Sequence, residues 1–157
     1  MEKIKKVEES ITEHVQLLMP SHLNGSGRLF GGRLLEWIDM VGGATARRHA
    51  EADVITAAID NLQFKEGAHA NDALVLIGRV TYVGTSSMEV RVDTYVEELN
   101  GMRKPINRAY LVFVALDEEG TPVKVPRLQL GTDGQLMEWE SATKRSELRK
   151  VRRLEGF

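Results

Sequence analysis

The stretch with the clearest chemical potential is Asn24-Gly25-Ser26-Gly27-Arg28-Leu29-Phe30-Gly31-Gly32, which runs directly into a periodic segment containing Asp39. Two glycines at the head of a helix matter for a physical reason. The first backbone N–H groups of a helix lack intrahelical partners, and without a Cβ nothing holds a carbonyl at a distance. The helix end also carries partial positive charge. Gly31 and Gly32 therefore offer donors to a developing oxyanion. Asp39 follows Gly32 by seven positions, about two turns and ~10 Å along the axis. Its neighbours Leu35, Trp37, Ile38, Met40 and Val41 are apolar, an environment that disfavours a charged carboxylate and would raise its pKa. A carboxylate kept there without a cation suits a general base or a nucleophile. Asn24 could orient a water or a carbonyl with its amide, although an asparagine in a glycine-rich loop is by itself an ordinary turn residue.

Other chemistries are poorly served. Gly27–Gly32 lacks the Gly-Lys-Ser/Thr ending of a phosphate loop. His14, His22, His49 and His69 show no metal-ligand spacing. With no cysteine in the chain, disulfides, thiolate metal sites and cysteine nucleophiles are excluded. No metal is expected. Asp60, expected mid-strand, reads as a structural hydrogen-bond partner, and Trp37 as core.

The elements that must position these residues follow from periodicity. Leu34, Trp37, Ile38, Val41 and Thr45 repeat at three- and four-residue spacing, which predicts a helix over 33–49 covered on most sides. Gly42-Gly43 inside it costs roughly 1 kcal/mol of propensity per glycine, and implies another backbone or helix passing close by. Residues 10–19 read as a strand ending at Pro20. Val54–Phe64, Ala73–Tyr82, Ser87–Glu97 and Arg108–Leu116 read as four more, separated by glycine- and polar-rich breaks. Residues 121–134 read as an extended or looped segment, and 135–153 as a polar surface helix. One strand, one long buried helix and four strands predict an α+β fold, an antiparallel five-stranded sheet wrapped around a central helix. A doubly wound parallel sheet would need helices for which residues 54–116 leave no room.

At 157 residues the chain suits one domain, with residues 135–157 as a basic helical tail. Residues 144–157 carry net +4 within an overall −2, which leaves −6 on the remainder and argues against nucleic acid. The charged start Met1-Glu2-Lys3-Ile4-Lys5-Lys6 lacks a signal-peptide run, and no stretch reaches the 18 or more apolar residues that cross a bilayer. A cytoplasmic protein away from membranes is expected.

The segment from Met19 to Asp39 resembles the signature of hotdog-fold acyl-CoA thioesterases, in the branch of the bacterial and brain-type acyl-CoA hydrolases. The likeness continues through Ala57–Phe64, Val83–Val90 and Phe113–Asp117, and ends in the basic helix around Arg145 and Arg149. It implies a hotdog fold, hydrolysis of acyl-CoA to CoA and a carboxylic acid, and no cofactor. It also implies dimers commonly assembled into trimers of dimers. By matching position, the catalytic pair falls on Asn24 and Asp39, contributed by opposite subunits, with the oxyanion site at Gly31-Gly32. His22 and Phe30 lie in the same block, beside the substrate. Two departures bear on acyl specificity and phosphate contacts: Lys65-Glu66-Gly67-Ala68 stands where relatives carry a proline turn, and Thr85-Ser86 where an arginine is frequent.

CoA needs groups for its phosphates. Arg145 and Arg149 share a helix face and suit that task, as well as they suit a solvated tail. The turn Gly84-Thr85-Ser86-Ser87 could donate backbone N–H groups as a small nest. Rival readings are a non-catalytic acyl-CoA-binding protein, against which Asn24 and Asp39 together argue, and a hydratase, which would want a histidine on the buried helix.

Overall fold

The computed structural model describes residues 2–60 and 62–157. Five strands, β2 (Thr12–Leu17), β3 (Asp53–Asp60), β4 (Ala73–Val83), β5 (Ser87–Glu97) and β6 (Arg103–Leu116), form one antiparallel sheet in the order β2-β4-β5-β6-β3. Helix α1 (Gly31–Ala50) lies across the sheet and touches all five strands. A second helix, α2 (Asp133–Glu155), is capped by Thr132, whose hydroxyl accepts the Gln135 N–H. Two three-residue strands, β1 (Ile4–Lys6) and β7 (Arg127–Gln129), pair in parallel as a separate ribbon. They are too short to leave a periodic trace in the sequence.

The core forms where alternating strand residues meet one helix face. Leu34, Trp37, Ile38, Val41 and Ala46 of α1 pack with Leu74, Leu76 and Val80 of β4, Val90 and Val92 of β5, and Leu111, Phe113 and Ala115 of β6. The expected close approach at Gly42 is real, but a side chain makes it. A Cβ on Gly42 would stand 3.1 Å from the Phe113 ring. Coverage of α1 is also less complete than expected, since Gly32, Arg33, Glu36, Met40, Arg47 and Arg48 lie open on its other side.

Helix α1 starts at Gly31, two residues before the periodic residues suggest, because glycines leave no hydrophobic mark. Strand β6 starts at Arg103 rather than Arg108 and runs through Pro105. Proline is tolerated there because β3 stops at Asp60, opposite Tyr110, leaving the first half of β6 as a sheet edge. The strand expected over Val54–Phe64 accordingly ends at Asp60. Asn61 lies outside the described residues.

Strand β3 is itself an edge, with Ile55 50% exposed and Ile59 37% exposed. An apolar edge strand with unpaired backbone groups is a template for another chain.

Candidate active site

The glycine-rich loop is a compact hairpin. Leu23 bridges Leu29, and Arg28 bridges His69. Asn24 organises the interior: its Oδ1 accepts from Ser26 N at 3.0 Å, Ser26 Oγ at 2.7 Å and Arg28 N at 3.2 Å. That commits the carbonyl and leaves the Nδ2 donor without a partner among the described residues. Gly27 takes φ +76°, which a side chain would resist. His22 closes the preceding turn, its Nδ1 accepting Met19 N–H at 3.0 Å, and its ring meets Trp37 edge-on at 5.0 Å. His22 thus anchors the loop to α1.

The loop delivers Phe30 to the head of α1. Phe30 N–H donates to His22 O, and Phe30 O accepts from both Arg33 N and Leu34 N. The N–H groups of Gly31 and Gly32 have no acceptor among the described residues, as the start of a helix dictates. A Cβ on Gly32 would stand 2.5 Å from the Phe30 ring, and one on Gly31 would stand 3.6 Å from the Phe64 ring. Asn24, Gly31, Leu34 and Phe64, together with Arg28 and Lys65, line one cavity of about 240 Å³.

Asp39 is elsewhere. It lies eight residues beyond Gly31 on the same helix, roughly 12 Å along the axis, and faces the edge strand. Thr56 of β3 donates its hydroxyl to Asp39 Oδ1 at 2.7 Å. The apolar burial expected around Asp39 is absent from the single chain: Asp39 is half-buried, and the adjacent Met40 is 62% exposed. One chain therefore carries two separate constellations, Asn24 with the glycines and Asp39 with Thr56.

The turn after β4 is tied mainly to neighbouring segments. Gly84 N–H donates to Ser87 O, while the carbonyls of Gly84 and Thr85 accept from Arg127 Nη2, and those of Thr85 and Ser86 accept from Val125 and Ala115 N–H. Of the four expected backbone donors, that of Gly84 is thus spent. Ser87 lines a cavity of about 450 Å³ with Arg149, Lys150, Arg152 and Arg153.

Known proteins share this sequence pattern and fold. The sequence model of the thioesterase superfamily matches residues 26–101. A Bacillus subtilis protein named as an acyl-CoA thioester hydrolase is 37% identical over 92% of this chain and 85% of its own. The chain belongs to the acyl-CoA thioester hydrolase family. The acyl-CoA hydrolase of Staphylococcus aureus, solved with butyryl-CoA, CoA and CoA disulfide, superposes with a TM-score of 0.92 at 36% identity, over 98% of this chain and 94% of that one. Alanine variants of that enzyme at an aspartate, a threonine and an asparagine superpose with TM-scores of 0.93, 0.92 and 0.94 at 34–35% identity, over 98–99% of this chain and 94–95% of theirs. An apo hexameric acyl-CoA thioesterase gives a TM-score of 0.91 at 39% identity, over 96% of this chain and 97% of that one. The hotdog fold is thereby shown, and solved relatives include hexamers. Among the described residues, no helix is long and apolar enough to cross a membrane.

Arg145 and Arg149 have partners inside the chain. Glu89, only 1% exposed, accepts from Arg145 Nε at 3.0 Å and Nη2 at 2.8 Å, from Arg149 Nη1 at 3.2 Å, and from Thr81 Oγ1 at 2.7 Å. Glu138 adds Arg91, Arg145 and the Tyr110 hydroxyl, and Asp60 takes Arg149 as the structural partner it was expected to be. Burial works to raise the Glu138 carboxyl, but hydrogen bonds from Tyr110 and Arg91 outweigh it and hold the group below its ordinary range. Burial, reinforced by the hydrogen bond to Glu138, pushes the Tyr110 phenol up to about 12. Arg145 and Arg149 thus form an ion-paired seam against the sheet, while Arg149 also lines the 450 Å³ cavity beside Lys150, Arg152 and Arg153. Sequence reasoning also missed Thr56, which looks like any other residue of an exposed strand.

Proposed function

We propose that the chain hydrolyses acyl-CoA thioesters, and that two copies complete each site. The carrying observation is the separation within α1: the oxyanion donors and Asn24 sit at one end, while Asp39 and Thr56 face the open β3 edge. Pairing of β3 edges would join two sheets and bring one copy's Asp39 to the other's Gly31. The alanine variants of the Staphylococcus aureus enzyme support the residue choice. The asparagine, aspartate and threonine altered there are spaced by fifteen and seventeen positions, as are Asn24, Asp39 and Thr56.

In this reading the substrate carbonyl oxygen receives the N–H groups of Gly31 and Gly32, where charge accumulates as the tetrahedral centre forms. Asn24 Nδ2 orients the water or the thioester. The Asp39 carboxylate, held by Thr56 through Oδ1, acts through Oδ2, either taking a proton from water or attacking the carbonyl carbon itself. Both routes expel CoA thiolate; the first gives the free acid directly, and the second gives an acyl–aspartyl anhydride that water hydrolyses to the free acid and Asp39. Phe30 and Phe64 wall the acyl end, with His22 holding the loop behind them. Ser87, Lys150, Arg152 and Arg153 meet CoA phosphates in the 450 Å³ cavity, with the Gly84–Ser86 turn at its rim. Arg149 divides its guanidinium between that cavity and the seam, while Arg145 supports it from beneath. Further assembly into a trimer of dimers and a cytoplasmic setting complete the proposal, with residues 1–157 acting as a single domain.

A free-thiol assay over a panel of acyl-CoAs tests the activity. Mixing Asn24→Ala and Asp39→Ala chains under subunit exchange tests the shared site. Restored turnover is expected, up to about a quarter of wild-type sites per mixed dimer population, an order-of-magnitude figure for random pairing. No recovery despite proven exchange would sink the shared site. Tight acyl-CoA binding without turnover would instead favour a binding protein.

A further inference from the structure

Strand β3 ends at Asp60 opposite Tyr110, whereas β6 extends back to Arg103. Between these points the chain must leave the sheet edge and reach Phe64, whose ring lies against Gly31 at the head of α1. Among the described residues, pairing of this segment with β6 stops at Asp60. A side chain takes over. Asn107 Nδ2 donates to Gln63 O at 2.6 Å, and Gln63 immediately precedes Phe64. A carbonyl can only accept, so this bond fixes which end of the amide points to Gln63. Asn107 is 9% exposed, and its Oδ1 has no partner among the described residues. Thr94, opposite Asn107 on β5, is fully buried and its hydroxyl is likewise unpartnered. Among the described residues, the amide is held by packing and by the Gln63 carbonyl.

We propose that Asn107 is a positioning residue for thioester hydrolysis. By holding the Gln63–Phe64 peptide it sets the Phe64 ring as the wall of the cavity at Gly31, and so sets how closely a substrate carbonyl meets the Gly31 and Gly32 N–H groups. This rests on the hydrolase reading given above. Oxyanion donors act at hydrogen-bond distance, and a displacement of about 1 Å can lower a rate by ~100-fold. A partial displacement, with Phe64 still tethered at both ends, should lower kcat by about tenfold on the same basis. KM for CoA esters should change little, because the phosphate contacts lie elsewhere.

Asn107→Ala and Asn107→Asp both remove the donor; the alanine variant avoids burying a charge and serves if the aspartate variant does not fold. Turnover per folded protein should fall about tenfold in kcat, while a merely structural asparagine would lower only the melting temperature and the folded fraction. In a Phe64→Ala background the same change should add less than about twofold, because coupled residues are non-additive. A kcat within about twofold of wild type, or an equal loss in both backgrounds, overturns the proposal. A crystal structure of Asn107→Ala decides the placement independently of turnover: a Phe64 ring moved off Gly31 supports it, and a ring in place refutes it. Absence of wild-type turnover on every acyl-CoA would count against the hydrolase reading, leaving the crystal structure to decide the placement.

Discussion

Replacing Asp39 by Asn removes one charge and little else. The carboxylate is half-buried and keeps one identified hydrogen bond, from Thr56 Oγ1 at 2.7 Å to Oδ1. The amide oxygen of asparagine can accept that bond, so the stability change should be that between a charged and a neutral acceptor, about 1 kcal/mol. For a chain of this size that corresponds to roughly 2–4 °C in Tm. The chemical loss is far larger. A positioned proton-transfer group contributes typically ~10²–10⁴-fold, or about 3–5 kcal/mol of barrier at ~1.4 kcal/mol per tenfold. Turnover and stability should thus separate on a single preparation, with kcat falling at least about 100-fold while melting and oligomer size stay near wild type. Free-thiol release, thermal melting and light scattering supply the three readings. A kcat within about tenfold of wild type in a correctly assembled Asp39→Asn protein would refute the chemical role. Single turnover in ¹⁸O-labelled water then tests for the nucleophilic route, since label enters the Asp39 carboxylate when that group has attacked and water opens the mixed anhydride at the aspartyl carbonyl.

Further outcomes follow from other contacts. Thr56→Val keeps the β-branched shape but removes the donor to Asp39, and should lower kcat by about tenfold, the worth of one charge-assisted hydrogen bond, with KM little changed. Glu89→Gln leaves Arg145 and Arg149 facing a neutral group in a buried seam. The loss should be about 3–5 kcal/mol, or roughly 6–20 °C in Tm, and an unchanged Tm would show the seam to be incidental. His49 is fully buried, donates Nε2–H to Pro126 O at 2.9 Å and has no partner for Nδ1 among the described residues. Burial, with the nearby Lys5 and Arg127, lowers its pKa against the opposing effect of the Pro126 bond. The unfolded chain therefore binds this proton first, so stability present above the ordinary imidazole value, about 6.5, should be lost as pH falls below it. His49→Gln retains a donor and should flatten that part of the stability–pH curve; an unchanged slope would assign it to other groups.

What the sequence determined is what depends on neighbours in the chain. The three- and four-residue spacing of Leu34, Trp37, Ile38, Val41 and Thr45 declares α1 wherever the helix is finally packed, and the alternation in β4 and β5 declares those strands. The two glycines that open α1 likewise fix free N–H groups at a helix start, because that deficit belongs to helical geometry itself. The environment of Asp39 was not legible in this way. Apolar neighbours in sequence suggested desolvation, but β3 is the last strand of the sheet, so the helix face carrying Asp39 stays open in one chain. Tertiary structure alone joined Asp39 to Thr56, 17 residues away, Asn107 to Gln63, 44 away, and Arg145 to Glu89, 56 away. Sheet register and the docking of α2 set these pairings. An arginine four residues from another on a helix shows that both share a face, but the strand carboxylates brought against that face decide whether their charge is left for a ligand.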